Sequence, residues 1–315
     1  MFKKDCYEKI VPQLVAYKRD IRVDTRLSSS DIDEFMHYIK AVDPSLFHVG
    51  GMGISASMIG GMVLHPQYIY TEAEYTSLKK QISDKIRPVK QYLRSMATDR
   101  EKEKYVHDYL CKTVRYVDNG DVSHRLVGPI LYGEGVCDGI SQSAQLLFKA
   151  CGVKSFVVTG EAQNGAGNGY YPHAWNVVCV DGKWYHLDVT FDLSKDQSHV
   201  QYGYFNLDNK QILVDHKVTF TPMDWKRECI HANDYYVDRK ICFDDIDTLK
   251  RYYRHVLGKK KTFFQFRMSS PYSDALHNEI ISAWSSTVCE MSMMTQAKPT
   301  YHKSRNTYFF EVTYV

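Results

Sequence analysis

No stretch of this sequence is long and apolar enough to cross a bilayer. The longest weakly polar run, from Val49 to Leu64, is rich in glycine and serine and falls short of the ~20 residues that span a membrane. The N-terminus, MFKKDCYEKIVPQLVAYKRD, has no apolar segment of signal-peptide length and mixes Asp5, Glu8 and Asp20 with its basic residues. A soluble chain is expected, with the cytoplasm as its location. Charge of one sign is also missing: 40 Lys and Arg against 37 Asp and Glu leave a formal +3, too little to draw nucleic acid or an anionic surface. Neither nucleic acid nor membrane is therefore an expected partner. Cys-x-x-Cys pairs are absent among the eight cysteines (6, 111, 137, 151, 179, 229, 242 and 289), and disulfide frameworks belong to small secreted domains. The nearest approach to a metal spacing, Cys229-Ile-His231, has no second pair close by. No metal and no cofactor is expected, and most of the cysteines read as small buried hydrophobes.

What is present is ordinary globular material, 44% hydrophobic and 24% charged over 315 residues, enough for two or three domains or for one core with appended elements. Residues 1 to about 95 read as helical with loops. Tyr7, Ile10, Val11, Leu14 and Val15 recur at helical spacing; Ser29, Ser30 and Asp31 precede Ile32, Phe35, Met36 and Ile39 as an N-cap precedes an amphipathic helix. Pro44 ends that unit. The segment GGMGISASMIGG lacks the Gly-Lys-Ser/Thr of a phosphate-cradling loop and reads as a flexible connection or a close-packed strand. Thr71 to Tyr92 reads as a covering helix. A charged helix opens at Asp99 with Tyr105, Val106, Tyr109, Leu110 and Val114 as its apolar face. From Cys137 a helical period carries Ile140, Ala144, Leu147, Phe148 and Cys151, with Gly152 placed as a C-cap. Lys154 to Glu161 has strand composition. Tyr202 to Leu207 reads as one more strand of the same sheet, and the chain from about Tyr235 alternates strand, helix, strand, helix and strand.

Asp181-Gly182 between two strand-like runs signals a two-residue type I′ hairpin. That turn sets the register. With Val180 opposite Lys183, Trp175 lies opposite Asp188, and His173, Trp175, Val177 and Cys179 share a face with Asp188, His186 and Trp184. His173 and Asp188 become diagonal neighbours within hydrogen-bond reach. Cys137 stands at a helix start among Gly133, Gly135 and Gly139, which permit close approach of a substrate backbone. A thiol attacks as thiolate, a form favoured by a helix N-terminus and by a neighbouring imidazolium. Cys137 is thus the candidate nucleophile, His173 the base and Asp188 its orienter, with the Cys137 N–H as one oxyanion donor. Tyr132 is the suggested second donor or substrate contact. His186 is a rival base, although it projects further toward the turn, and Asp192 a rival orienter beyond the paired region. Trp175 and Trp184 read as core or cleft-wall aromatics, with Trp175 as a candidate substrate contact.

At these residues the chain resembles a known family. GVCDGISQSAQLLFKACGV, HAWNVV, DGKWYHLDVTFD and YGYFNLD are similar, in order and spacing, to the motifs of the transglutaminase-like superfamily, in particular its bacterial branch. The resemblance covers roughly residues 100 to 210 and implies an α+β, papain-like core, a nucleophile helix packed on an antiparallel sheet. It also implies a Cys137, His173 and Asp188 triad that forms an acyl-enzyme on an amide of a protein or peptide. The family holds transglutaminases, cysteine proteases, peptide N-glycanases and members without catalysis, so the expected activity is amide hydrolase or acyltransferase. The alternative is an inactive binding or scaffold protein. Calcium sites of the animal enzymes have no counterpart motif. Ile140-Ser141 stands where Tyr-Ala is common, and Phe191 where Trp is common. The expected division is 1–98, mainly helical and integral to the core; 99–234, the catalytic core; and 235–315, a small α+β unit outside any motif. The contact between the His173 face and Cys137 rests on the resemblance alone, and the oligomeric state is left open.

Overall fold

A computed structural model describes residues 4–57, 60–163, 169–194, 197–231 and 233–315. The chain opens with α1 (Lys4–Val15), β1 (Ile21–Val23), α2 (Ser29–Val42), β2 (Val49–Ala56) and β3 (Met62–Tyr68). Ser28 caps α2 reciprocally with Asp31, one residue before the expected start. The mainly helical reading of this region misses an antiparallel sheet ordered β1-β3-β2, although for GGMGISASMIGG the close-packed strand, one of its two readings, is what β2 forms. Its glycines explain the misreading: a Cβ at Gly50 would meet the Ile69 side chain at 2.5 Å, and one at Gly51 the Gln67 side chain at 2.9 Å. They are packing residues of a strand whose composition looks like a loop.

The helices α3 (Glu72–Ser95) and α4 (Asp99–Thr113) follow, each opened by a capping box, Thr71 with Glu74 and Thr98 with Glu101. The buried face of α4 is Glu103, Val106, His107, Leu110 and Cys111. It is rotated from the expected face, and Tyr105 and Tyr109 lie only partly buried beside it. The two-residue strands β4 (Arg115–Tyr116) and β5 (Glu134–Gly135) pair in parallel and lead into α5 (Cys137–Cys151), closed by Gly152 at φ +80°. Ile140, Ala144, Leu147 and Phe148 of α5 join one apolar cluster with Ile86 and Leu93 of α3, Leu110 of α4 and Val178. Such burial is worth roughly 1.5–3 kcal/mol for each large side chain.

Behind α5 lies the sheet of β6 (Ser155–Gln163), β7 (Tyr170–Val180), β8 (Lys183–Leu187) and, after the one-turn helix α6 (Asn209–Ile212), β9 (His216–Phe220). Its order is β8-β7-β6-β9, antiparallel throughout. The hairpin register matches the expectation from Val180 with Lys183 to Asn176 with Leu187. Asp181 and Gly182 both have positive φ, 52° and 76°, as a type I′ turn requires. The strand expected at Tyr202 to Leu207 is corrected: Asn206 turns left-handed at φ +58°, and only a bridge between His186 and Leu207 remains. The fourth strand is β9. Short helices α7 (Trp225–Glu228) and α8 (Tyr235–Asp238) precede the last unit, β10 (Cys242–Phe243), α9 (Ile246–Gly258), β11 (Phe263–Met268), α10 (Asp274–Glu290), β12 (Thr295–His302) and β13 (Thr307–Tyr314). Its sheet runs β10-β11-β13-β12 and packs Phe264, Phe266 and Phe310 with Leu249, Tyr253, Ile280 and Trp284 of the helices. The sequence does not announce β12, because Lys298 and Pro299 are residues of a sheet edge and weaken its strand signature.

Candidate active site

Cys137 is the first residue of α5, and Val136 before it caps the helix without a side-chain acceptor. The leading N–H groups of such a helix have no intrahelical partner and face whatever sits at its tip. Two glycines set α5 against the preceding loop. A Cβ on Gly139 would stand 2.3 Å from the Ser123 carbonyl oxygen and 2.8 Å from that of Arg125, and one on Gly135 2.5 Å from the Pro129 ring. Cys137 retains 9% exposure and His173 8%, so both are nearly but not wholly closed off from solvent.

His173 lies near the start of β7, and its Nε2 donates to Asp188 Oδ2 at 2.6 Å. A carboxylate is acceptor-only, so this nitrogen carries the proton and the other is left for Cys137, whose side chain lies close enough to act on the ring; the Cys137 thiol itself donates to Asp138 Oδ1 at 3.8 Å. Burial alone would lower the His173 pKa; the charge and hydrogen bond of Asp188, helped by Cys137, raise it instead to about 9. Asp188 is fully buried at the end of β8, its N–H held by the Tyr204 carbonyl at 3.0 Å and its Oδ1 accepting the Phe191 N–H at 3.2 Å. Burial would raise its pKa, but His173 and His216 reverse that and hold the carboxyl well below the usual range.

His216, on β9, is a residue the sequence reading misses. Its Nε2 donates to Asp188 Oδ2 at 3.1 Å and its Nδ1 to Asp215 Oδ1 at 2.6 Å. Asp215 Oδ2 in turn accepts the Tyr204 hydroxyl at 2.6 Å, and that hydroxyl meets Ser304 Oγ at 3.1 Å on the turn between β12 and β13. Arg305 of the same turn donates to the carbonyls of Gly203 and Gln211 at 3.2 and 2.7 Å. The only available sequence signal is the dipeptide Asp215-His216 in a segment with no strand pattern.

The rivals are engaged elsewhere. His186 accepts the Trp175 indole N–H at 3.0 Å and faces Asn209 Oδ1 at 3.0 Å, and burial pushes its pKa down to about 4, which keeps it a neutral structural ring. Asp192 accepts the Tyr204 N–H at 3.0 Å and pairs with His107 at 3.1 Å, far from the role of orienting His173. Trp175 is 1% exposed and packs with Val158, Val177 and Tyr204, so the expected substrate contact is corrected to a core residue behind the site. Tyr132 is 64% exposed and has no described hydrogen bond to Cys137. Tyr116 on β4, itself 56% exposed, is the tyrosine near the thiol: partial desolvation of its hydroxyl first, then the charges of Cys137 and Asp138, push it up to about 12.

A cavity of ≈ 270 Å³ lined by Lys40, Ala41, Arg125, Asp138, Val157 and Ala174 adjoins the apolar packing of Cys137 with Ala41, Val157, Ala174 and Phe220. Among the described residues, the donor atoms of His173, Asp188 and His216 lie within 4.8 Å of one another. Zinc at ~2.0–2.2 Å from a nitrogen and an oxygen in tetrahedral geometry needs them roughly 3.3 Å apart. The 2.6 Å between His173 and Asp188 is a proton-sharing distance, and the set as placed does not fit a tetrahedral zinc.

The sequence model of the transglutaminase-like superfamily matches residues 87–189, from α3 through the hairpin that carries Asp188. That segment is a transglutaminase-like core. Its α+β build, nucleophile-bearing helix on an antiparallel sheet, is the papain-like arrangement the sequence motifs imply. No curated protein matches the chain. Among solved structures it is similar to one described as a TGase, at 16% identity and a TM-score of 0.33, over 56% of this chain and 51% of that one. It is also similar to an arylamine N-acetyltransferase from Bacillus cereus with a Cys-His-Glu triad, at 14% identity and a TM-score of 0.27 (37% and 50% covered). A third is the periplasmic domain of TgpA from Pseudomonas aeruginosa, at 15% identity and a TM-score of 0.27 (41% and 54%). The chain spans about half the length of these three. Among the described residues, no helix is long and apolar enough to cross a membrane.

Proposed function

We propose that this protein is a cysteine-dependent amide hydrolase or acyltransferase acting on a protein or peptide, with Cys137 as nucleophile, His173 as base and Asp188 as orienter. The observation that carries this reading is His173 held by Asp188 at 2.6 Å beside the side chain of Cys137 at the tip of α5. The Cys137 sulfur attacks the amide carbonyl, a C–S bond forms, and the C–N bond breaks as His173 gives its proton to the leaving amine. Water or a lysine amine then attacks the thioester, His173 takes the incoming proton, and the thiol is regenerated. The α5 N–H groups and the Tyr116 hydroxyl, in place of Tyr132, supply the oxyanion donors. The same reading takes residues 1–98 as integral to the core, 99–234 as the catalytic core and 235–315 as an α+β unit. The same reading places the chain in the cytoplasm.

The test is incubation with a peptide library, with and without an added primary amine, alongside iodoacetamide labelling resolved by peptide mapping. Cys137 is expected to label far faster than the other cysteines at mildly acidic pH, and amine incorporation or cleavage then names the acceptor. Equal labelling of all cysteines would instead favour a scaffold that keeps the fold without turnover. Tyr116→Phe is expected to lower kcat by about 100-fold with KM little changed; an unchanged kcat removes Tyr116 from the oxyanion site.

A further inference from the structure

The site does not end at three residues. We propose that His216 is a fourth member, a positioning residue held as an imidazolium between Asp188 and Asp215, which divides the Asp188 carboxylate between two rings and so sets how strongly His173 keeps its proton. This inference rests on the catalytic reading above for its importance, but its geometry stands without it.

Hydrogen-bond chemistry decides the charge. Both ring nitrogens of His216 face carboxylate oxygens, at 3.1 and 2.6 Å, and carboxylates only accept; each nitrogen must therefore bear a proton. The remaining oxygens are also satisfied, Asp188 Oδ1 by the Phe191 N–H and Asp215 Oδ2 by the Tyr204 hydroxyl. The result is an alternating buried chain, His173, Asp188, His216, Asp215, in which every charge touches an opposite one. Isolated, any of these charges would be costly in an apolar interior. Burial works against protonation of His216, and its two carboxylates overcome it, raising the pKa to about 9.

Other titratable groups face this ring too. His173 and Tyr204 stand with ring centroids 5.4 and 5.6 Å away, and His186 feels its charge. Arg305 and His302 reach it through Asp215. Trp175 and Phe191 close the remaining sides, at 5.0 and 4.9 Å. Because Ser304 meets the Tyr204 hydroxyl, the far end of the chain lies on the C-terminal unit, outside the matched family segment.

The sign of the effect follows from removing the cation. Without His216⁺, the Asp188 charge acts on His173 alone and a positive neighbour 5.4 Å away disappears. Both changes hold the His173 proton more tightly.

The experiment is a nitrogen-15 NMR titration of histidine side chains in the full-length protein and in its His216→Gln and Asp215→Asn forms, with folding checked by circular dichroism. His173 is expected to titrate about one pH unit higher in His216→Gln. In Asp215→Asn, where His216 loses the charge that keeps it protonated, the shift has the same direction. The alkaline step of Cys137 alkylation moves with it. If either variant folds and leaves the His173 midpoint unchanged, or if His216 of the wild type is neutral at pH 7, the proposal is wrong. The NMR midpoint is read in the resting protein, so a Cys137 that proves unreactive would overturn the catalytic reading and leave this result standing.

Discussion

Turnover of an amide substrate by His173→Ala is expected to fall by about 10,000-fold, to the residual rate that oxyanion donors and binding provide without a base. Cys137 should at the same time lose its preference over the other cysteines for iodoacetamide. The fold is expected to survive, because Asp188 is not stranded by the change: His216 still donates to it at 3.1 Å and Phe191 at 3.2 Å. The pH dependence carries a second signature. His173 and His216 both have pKa values raised to about 9, from an ordinary ~6.5. A group held protonated in the folded state stabilises it fully below ~6.5, and that contribution is lost as pH rises through about 9. Asp188, shifted downward, contributes in the opposite sense, its share present above the usual carboxylate range and lost on acidification. Urea unfolding from pH 6 to 10 should show wild-type stability declining on the alkaline side, and a smaller decline in His173→Ala. A His173→Ala protein with wild-type turnover and labelling would remove the imidazole from the mechanism.

Gly139→Ala is expected to destabilise the protein by about 2–3 kcal/mol and to slow turnover by about 100-fold. Two effects compete. Alanine gains about 1 kcal/mol over glycine in a helix interior, and Gly139 has no positive φ that alanine would resent. Against this, its Cβ would sit 2.3 and 2.8 Å from two backbone carbonyl oxygens, of Ser123 and Arg125, which cannot rotate away as a side chain could. The start of α5 must retreat, and Cys137 moves with it. Gly152→Ala is the control: its φ of +80° makes alanine strained by about 1 kcal/mol, but nothing lies within 4 Å of the new Cβ and the site is remote in the helix. Urea midpoints and turnover of the two variants separate the cases. Equal loss of activity in both would mean that the close approach at Gly139 does not position the nucleophile.

Much of the core is legible from local pattern. The helical period from Cys137 to Cys151 and the Asp181-Gly182 turn each depend on residues close in sequence, and both elements form as expected. The N-terminal sheet is legible only as an alternative, strand or connection, since β2 holds glycines whose purpose is set by Ile69 and Gln67 on another segment. The face of α4 is misjudged for a related reason. Glu103 and His107 look like solvent-facing residues, but they are buried on Asn206 and on Asp108 with Asp192. Burial of the Glu103 carboxyl, only partly offset by Asn206, pushes its pKa to about 8, so it is held as a neutral acid at neutral pH.

The site divides along the same line. The sequence alone determines that His173 and Asp188 meet, because a two-residue turn with positive φ at both positions fixes the hairpin register and with it every diagonal pair. Tertiary structure alone decides that α5 presents Cys137 to that ring, that Trp175 lies behind the site and Tyr116 beside it, and that His216 arrives on a strand 28 residues after Asp188 to share its charge. Such contacts join segments with no common periodicity. They are set by which groups can neutralise one another once water is excluded, a condition that exists only after the core has closed.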